Sequence, residues 1–99
     1  MSIDYKFREK FEAEMGPLTF AMFMRVARTT LGLTQEKMGQ KFGLSRANVC
    51  DIEKGRYLVS PAVAMKVAKK SGLSENLAIL ACVQDQVRKA GSDVILMIA

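Results

Sequence analysis

The chain has 99 residues, of which 49% are hydrophobic and 25% charged, and its formal net charge is +5. This length and ordinary globular composition predict one domain with or without short arms, and they exclude a chain that is disordered over most of its length. Because the sequence contains no histidine, no glycine-rich phosphate loop and no paired carboxylates on a plausible cleft, it offers neither a metal-ligand set nor a general base. We therefore expect a protein that is not an enzyme and that uses no cofactor or metal.

Positive charge is concentrated in the middle of the chain. Residues 18–59 carry seven basic side chains against three acidic ones, whereas residues 1–17 carry three against four and residues 60–99 carry five against three. A local excess of this kind predicts a polyanionic partner such as a nucleic acid. Charge alone fits an ordinary solvated surface equally well, so the choice between the two depends on the motifs.

The cysteine pattern and the N-terminal sequence indicate the compartment. Cys50 and Cys82 are far apart and lack the spacing of a metal site, so we expect two reduced, partly buried thiols. The N-terminal stretch lacks the apolar segment of a signal peptide, and no apolar run approaches the ~20 residues that span a bilayer. These features predict a soluble cytoplasmic protein without membrane contact.

The predicted elements begin with an arm at residues 1–17. Phe7, Phe11 and Met15 recur at intervals of four, which predicts a short amphipathic helix that ends at Gly16-Pro17. Residues 18–91 follow as the main domain.

Five helices are expected in this main domain, because capping residues recur before its apolar periodic segments. The predicted starts are Thr19, Thr34, Ser45, Ser60-Pro61 and Ser74, and the predicted ends are Gly32, Gly43, Gly55, Gly72 and Gly91. Residues 92–99 form a tail in which Val94 to Ile98 are all apolar. This run is too short for a separate helix, so we expect a C-terminal β-strand after an otherwise all-α domain.

The second and third predicted helices are joined by Phe42-Gly43-Leu44. Two short helices connected by a tight glycine-containing turn form a helix-turn-helix, in which the first helix crosses the phosphate backbone and the second enters the major groove of DNA. This arrangement explains a third helix that offers only Val49 and Ile52 to the core and begins with polar residues.

The segment from about Leu18 to Ala68 resembles the Cro/cI-type, or xenobiotic-response-element-type, helix-turn-helix family. The matching elements are Arg25-x-x-Arg28, Gly32 to Gln35, Met38-Gly39, Phe42 to Ser45, Asp51 to Gly55 and Ser60-Pro61. Position 39 is usually alanine in this family, and glycine there is expected to keep the second and third helices equally close. The resemblance implies an all-α, five-helix, lambda-repressor-like DNA-binding domain.

The resemblance also implies roles for individual residues. Thr34 and Gln35 would approach a phosphate, and Arg46, Ala47 and Asp51 would occupy the positions that read bases. With the other residues expected at the phosphates and groove edges, the predicted DNA-contacting set is Thr34, Gln35, Ser45, Arg46, Ala47, Asn48, Asp51, Lys54 and Arg56. Arg28 and Glu53 would form an internal ion pair that ties the first helix to the third.

The chemistry of the side chains supports the base-reading positions to different degrees. Arg46 can donate two hydrogen bonds to guanine, which is worth ~1–3 kcal/mol of discrimination. Ala47 would meet a thymine methyl group or only permit close approach. Asp51 could accept a hydrogen bond from cytosine, but an ion pair with Lys54 three residues later explains it as well.

A single helix-turn-helix buries too little surface on DNA to select a site well, so a homodimer on a palindrome is expected. An open apolar strand edge would promote aggregation, so the tail is expected to pair with a second copy or a partner protein, or else to pack on its own domain. The predicted interface is Leu80, Val83, Val87, Val94, Ile95, Leu96, Met97 and Ile98.

These observations predict a dimeric repressor of transcription that binds a palindromic operator in double-stranded DNA. The alternative is an antitoxin that represses its own operon and neutralises a toxin protein through the arm or the tail. A helical bundle that serves purely as an interaction module is a third possibility, but the basic excess around Arg46 argues against it.

Overall fold

The computed structural model describes residues 18–96, and it contains five α-helices within that range. They are α1 (Phe20–Thr30), α2 (Gln35–Phe42), α3 (Arg46–Glu53), α4 (Pro61–Ser71) and α5 (Glu75–Lys89). The all-helical prediction is therefore confirmed for the described part of the chain. The predicted arm at residues 1–17 lies outside the described residues.

Each helix begins at the capping residue that the sequence predicts. The side-chain hydroxyl groups of Thr19, Thr34, Ser45, Ser60 and Ser74 each accept a hydrogen bond from the backbone N–H three residues later. Such a cap satisfies an N–H group that the helix itself leaves unpaired and typically contributes ~1 kcal/mol. Local sequence is therefore sufficient to fix where each of these helices starts.

Helix α1 lies at the centre of the fold and contacts α3, α4 and α5. Its apolar face consists of Phe20, Phe23, Met24 and Ala27, all of which are buried. Met38 of α2 is also fully buried, so both methionines fill the core as expected from their flexible apolar side chains. Helix α2 packs mainly against α3, and α4 packs against α5.

The start of α1 is fastened to the end of α5 by two side chains. The Phe20 N–H donates to Asp85 Oδ2 at 3.0 Å, and Arg88 donates to the Leu18 carbonyl oxygen at 3.0 Å. Burial raises the pKa of the Asp85 carboxyl, while the Phe20 N–H and the positive charge of Arg88 act in the opposite direction. Asp85 thus stabilises the N-terminus of a helix 65 residues away.

The predicted C-terminal β-strand is wrong. Residues 92–96 form no strand; instead, the side-chain amide of Gln84 donates to the Val94 carbonyl oxygen at 2.8 Å and accepts from the Leu96 N–H at 2.7 Å. Gln84 is only 1% exposed, so its amide occupies the place that a neighbouring strand would take. A strand requires a partner strand, and none lies within residues 18–96. Met97 and Ile98 lie outside the described residues.

Both cysteine thiols are unpaired. Cys50 is half-buried on α3, and Cys82 is buried on α5, where its Sγ lies 3.0 Å from the Val59 carbonyl oxygen. Burial is the largest cause that raises the pKa of the Cys82 thiol, so this group stays protonated and unreactive.

Candidate nucleic-acid interface

The turn between α2 and α3 lies directly against α2. Gly43 ends α2 with φ 71°, a left-handed conformation that favours glycine, and the Leu44 N–H donates to the Gly39 carbonyl oxygen at 2.8 Å. A Cβ atom at position 39 would lie 2.4 Å from the Leu44 carbonyl oxygen. Glycine and alanine are therefore not equivalent at position 39 of this chain, contrary to the expectation from the sequence.

Helix α3 turns its apolar side inward and its leading polar residues outward. Val49 and Ile52 are buried, whereas Arg46, Ala47 and Asn48 are exposed. The Ser45 hydroxyl donates to the side-chain oxygen of Asn48. The first turn of α3 is thus exposed to solvent, while the opposite side of the helix is packed against the core.

The predicted contacts at the starts of α2 and α3 come together in space. Thr34, Gln35 and Arg46 line one recess of about 450 Å³, together with Arg28 and Glu36. The N-terminus of a helix attracts anions because its first N–H groups are unpaired and its dipole is positive there. Arg28 is bound to Glu53 and Glu36 is acidic, so a phosphate in this recess would be held by Arg46 and the N–H groups at the start of α2.

The predicted ion pair between Arg28 and Glu53 is present. Arg28 Nε donates to Glu53 Oε2 at 2.8 Å and Nη2 donates to Oε1 at 3.1 Å, and Nη1 donates to the Leu33 carbonyl oxygen at 3.1 Å. The Glu53 carboxylate is 4% exposed, and it raises the pKa of the Arg28 guanidinium. This two-pronged contact fixes the angle between α1 and the end of α3.

Arg25 has a structural role that the sequence analysis did not assign. Its Nη2 donates to the Glu53 carbonyl oxygen at 2.8 Å, while its Nε lies 3.8 Å from Glu53 Oε1. Arg25 therefore caps the C-terminal end of α3, where helix carbonyls are unpaired. The spacing of Arg25 and Arg28, three residues apart on one helix face, was the signal that both side chains reach the same neighbour.

Asp51 and the basic residues after it lie at the outer end of α3. Asp51 Oδ1 is 3.9 Å from Arg56 Nη1, so the ion pair of Asp51 is with Arg56, whereas the alternative considered from the sequence was a pair with Lys54. Both members of this pair are well exposed, and Lys54 is exposed as well. An exposed ion pair of this length contributes little to stability, and all three side chains remain accessible to a ligand.

The side chains of the predicted dimer interface have different environments. Leu80 is 8% exposed and belongs to the core, and Leu96 packs against that core. Val83 and Val87 are half-buried on α5, whereas Val94 and Ile95 are 57% and 68% exposed. Leu80 and Leu96 thus stabilise the domain itself, and the other described members retain surface for a partner.

No metal-binding cluster of three or more histidine, cysteine, aspartate or glutamate side chains occurs within residues 18–96. Over the same range, none of the helices combines the length and hydropathy required to cross a bilayer.

Comparison with known proteins assigns the chain to a family. The sequence model described as "Helix-turn-helix domain" matches residues 19–78. A protein of Methanothermobacter thermautotrophicus, described as an uncharacterized HTH-type transcriptional regulator, is 39% identical over 49 residues, which are 50% of this chain and 71% of the relative.

Two further relatives carry the same description. One from Bacillus subtilis is 43% identical over 42 residues, which are 42% of this chain and 64% of the relative. The other, from Methanocaldococcus jannaschii, is 40% identical over 50 residues, which are 50% of this chain and 76% of the relative. No solved structure matches the chain significantly. The family match covers more than half of the chain and includes every helix from α1 to α4, so the protein belongs to the helix-turn-helix domain family.

Proposed function

We propose that the protein is a sequence-specific DNA-binding regulator of transcription of the Cro/cI type, and that it represses its targets as a homodimer on a palindromic operator. The observation that carries this proposal is the exposed leading turn of α3, Arg46-Ala47-Asn48, on a helix whose other side is packed through Val49 and Ile52. A helix held in this way can enter the major groove without losing its internal contacts.

The surroundings of α3 support a rigid reading surface. Arg28 and Arg25 hold Glu53 at the end of α3, and the turn at Leu44, packed against Gly39 of α2, holds the beginning of α3. Base readout requires side chains to be placed to within fractions of an ångström, so bracing at both ends favours specific over non-specific binding. The relatives named above are described as transcriptional regulators, which agrees with this role.

The proposal assigns separate tasks to the exposed polar residues. Arg46 reads a guanine, Ala47 and Asn48 contact the groove, and Gln35 positions α2 on a phosphate. Asp51 is within 3.9 Å of Arg56, so we expect Asp51 to orient this arginine toward the backbone and to read bases only weakly. We also propose that the protein acts in the cytoplasm and has no catalytic activity.

The test is a binding-site selection with the purified full-length protein and random duplex DNA. Palindromic half-sites with a common spacing are expected for the wild type, because a dimer imposes its two-fold symmetry on the site. Arg46→Ala should relax the preference at one position of each half-site by ~1–3 kcal/mol. Lys66→Gln is the matched control, because Lys66 is an exposed lysine of α4 outside the proposed interface. Unchanged base preference in the Arg46→Ala protein would contradict the assignment.

The exposed apolar pair Val94 and Ile95 favours a protein partner at the C-terminal end of the described chain. We propose the second copy of the homodimer as this partner, and a toxin protein neutralised by the same surface is the second candidate. Ile95→Ser should weaken self-association of the protein in sedimentation experiments. If this variant dimerises as the wild type does, the surface of Val94 and Ile95 is not the dimer interface and is available for another protein, as the antitoxin hypothesis requires.

A further inference from the structure

A second group of basic side chains surrounds a cleft at the far end of α3. The cleft has a volume of about 600 Å³ and lies between the start of α1, the turn that follows α3 and the end of α5. Its five cationic side chains are Arg25, Lys54, Arg56, Arg88 and Lys89. We call these five residues and the space between them the basic cleft.

The two acidic residues of the basic cleft are already engaged within the protein. The Glu53 carboxylate is 4% exposed and bound by Arg28, and Asp85 accepts from the Phe20 N–H and lies 3.6 Å from Arg88. Five cations against these two carboxylates leave a formal surplus of three positive charges in the lining, which becomes two when Asp51, 3.9 Å from Arg56, is counted. A surplus of this size attracts a polyanion.

The basic cleft is continuous with the surface proposed to bind DNA. Lys54 and Arg56, which follow the recognition helix α3, line the same cleft as Lys89 at the end of α5. A DNA strand that passes Lys54 therefore meets the remaining cleft residues next. On this ground we propose that the basic cleft binds the phosphate backbone of the DNA next to the base pairs read by α3, so that the footprint extends from α3 to the C-terminal end of α5. This inference rests on the proposed function.

The distribution of the cations favours a strand of DNA over a small anion. They come from three separate parts of the fold, and their side chains are exposed to different degrees, with Arg88 at 36%, Arg25 at 55% and Arg56 at 67%. A pocket for a small anion converges several donors on one buried point, whereas a phosphate backbone is met by exposed cations spaced along a surface. Tyr57 and Leu58, which also line the cleft, can pack against the sugars.

Among the five cations of the basic cleft, Lys89 is the one best suited to a mutational test of this inference. Arg88 fastens the start of α1 and Arg25 caps α3, so changing either would disturb the fold. The Lys89 side chain is exposed and forms no hydrogen bond or ion pair with any described residue. Its replacement by glutamine removes a charge and leaves the known contacts intact.

The experiment measures the affinity of the full-length protein for its selected duplex over a range of salt concentrations. The logarithm of the affinity falls with the logarithm of the salt concentration by ~0.9 for each phosphate neutralised in B-form DNA. We expect Lys89→Gln to reduce this slope by about one contact, as Lys54→Gln should. Lys66→Gln carries the same change of net charge outside the cleft and should leave the slope unchanged.

Three results separate the inference from the proposed function. Equal slopes for Lys89→Gln and Lys66→Gln would overturn the inference while wild-type DNA binding stands. Calorimetric binding of inorganic pyrophosphate that disappears in Lys89→Gln, with an unchanged salt slope, would also overturn it by assigning the cleft to a small anion. Absence of any salt-dependent binding by the wild type would refute the proposed function itself.

Discussion

Gly39→Ala tests whether the close contact between α2 and the following turn governs stability. Position 39 lies inside α2, where alanine is favoured over glycine by ~1 kcal/mol because it loses less backbone entropy. In this fold, however, the new Cβ would lie 2.4 Å from the Leu44 carbonyl oxygen, and non-bonded Cβ contacts below 3.0 Å are essentially never found. The two effects oppose each other, so the sign of the change is informative.

The geometry indicates which effect is larger. Bringing the contact from 2.4 Å to 3.0 Å requires a shift of at least 0.6 Å. The atoms in the way belong to the backbone of Leu44 and Ser45, so a change of side-chain rotamer cannot relieve the overlap. The shift would also strain the 2.8 Å hydrogen bond from the Leu44 N–H to the Gly39 carbonyl oxygen. Overpacking of this kind costs ~1–3 kcal/mol, and we expect Gly39→Ala to destabilise the protein by about 1 kcal/mol after the helix gain is subtracted.

Urea denaturation of matched variants measures this cost. Gln40 is the next residue of α2 and is exposed, so the pair Gln40→Gly and Gln40→Ala gives the gain from glycine to alanine in the same helix without the overlap. That pair should favour alanine by ~1 kcal/mol, whereas alanine should be unfavourable at position 39. If alanine stabilises both positions equally, the turn yields without cost and the reasoning is refuted.

Three other predictions concern the site, the tail and the start of α1. Gln35→Ala should weaken binding to all DNA sequences alike, because a phosphate contact carries no base information; a loss confined to one base pair in the selection experiment would contradict that role. Gln84→Leu should lower the free energy of unfolding by ~1–3 kcal/mol, since it removes the two hydrogen bonds from the Gln84 amide to the backbone of Val94 and Leu96; unaltered hydrogen exchange at Leu96 would argue against this. The raised pKa of Asp85 means that the folded state holds this proton more tightly than the unfolded state, so the group reduces stability as pH rises above its ordinary value of 3.8. The stability of Asp85→Asn relative to the wild type should therefore increase as the pH rises above 3.8 in denaturation curves measured at several pH values. Asp93→Asn is the control for net charge, and a difference that is constant with pH would disprove the assignment.

The helices and the helix-turn-helix could be predicted from the sequence alone. Each cap is a local interaction between a hydroxyl group and an N–H three residues later, so no tertiary contact is needed to specify it. The same is true of the left-handed turn at Gly43, which the residue type alone makes favourable. The Arg28–Glu53 ion pair joins distant residues, and it was predictable only because the family resemblance supplied the pairing.

Other features depend on which distant residues become neighbours in the folded chain, and these could not be predicted from local patterns. The apolar residues that begin at Val94 favour a β-strand by their intrinsic propensity. A strand also needs a second strand for its backbone hydrogen bonds, and here the buried amide of Gln84 forms hydrogen bonds with the backbone of this segment. Arg25 was recognised in the sequence as part of the family motif. Its hydrogen bond to the end of α3, however, depends on the angle at which α1 crosses that helix. The basic cleft likewise exists because folding brings Lys54 and Lys89 to one surface. Local hydrogen bonds are encoded within a few residues, whereas these contacts arise from the packing of the whole core, and the pattern of a single segment does not contain that information.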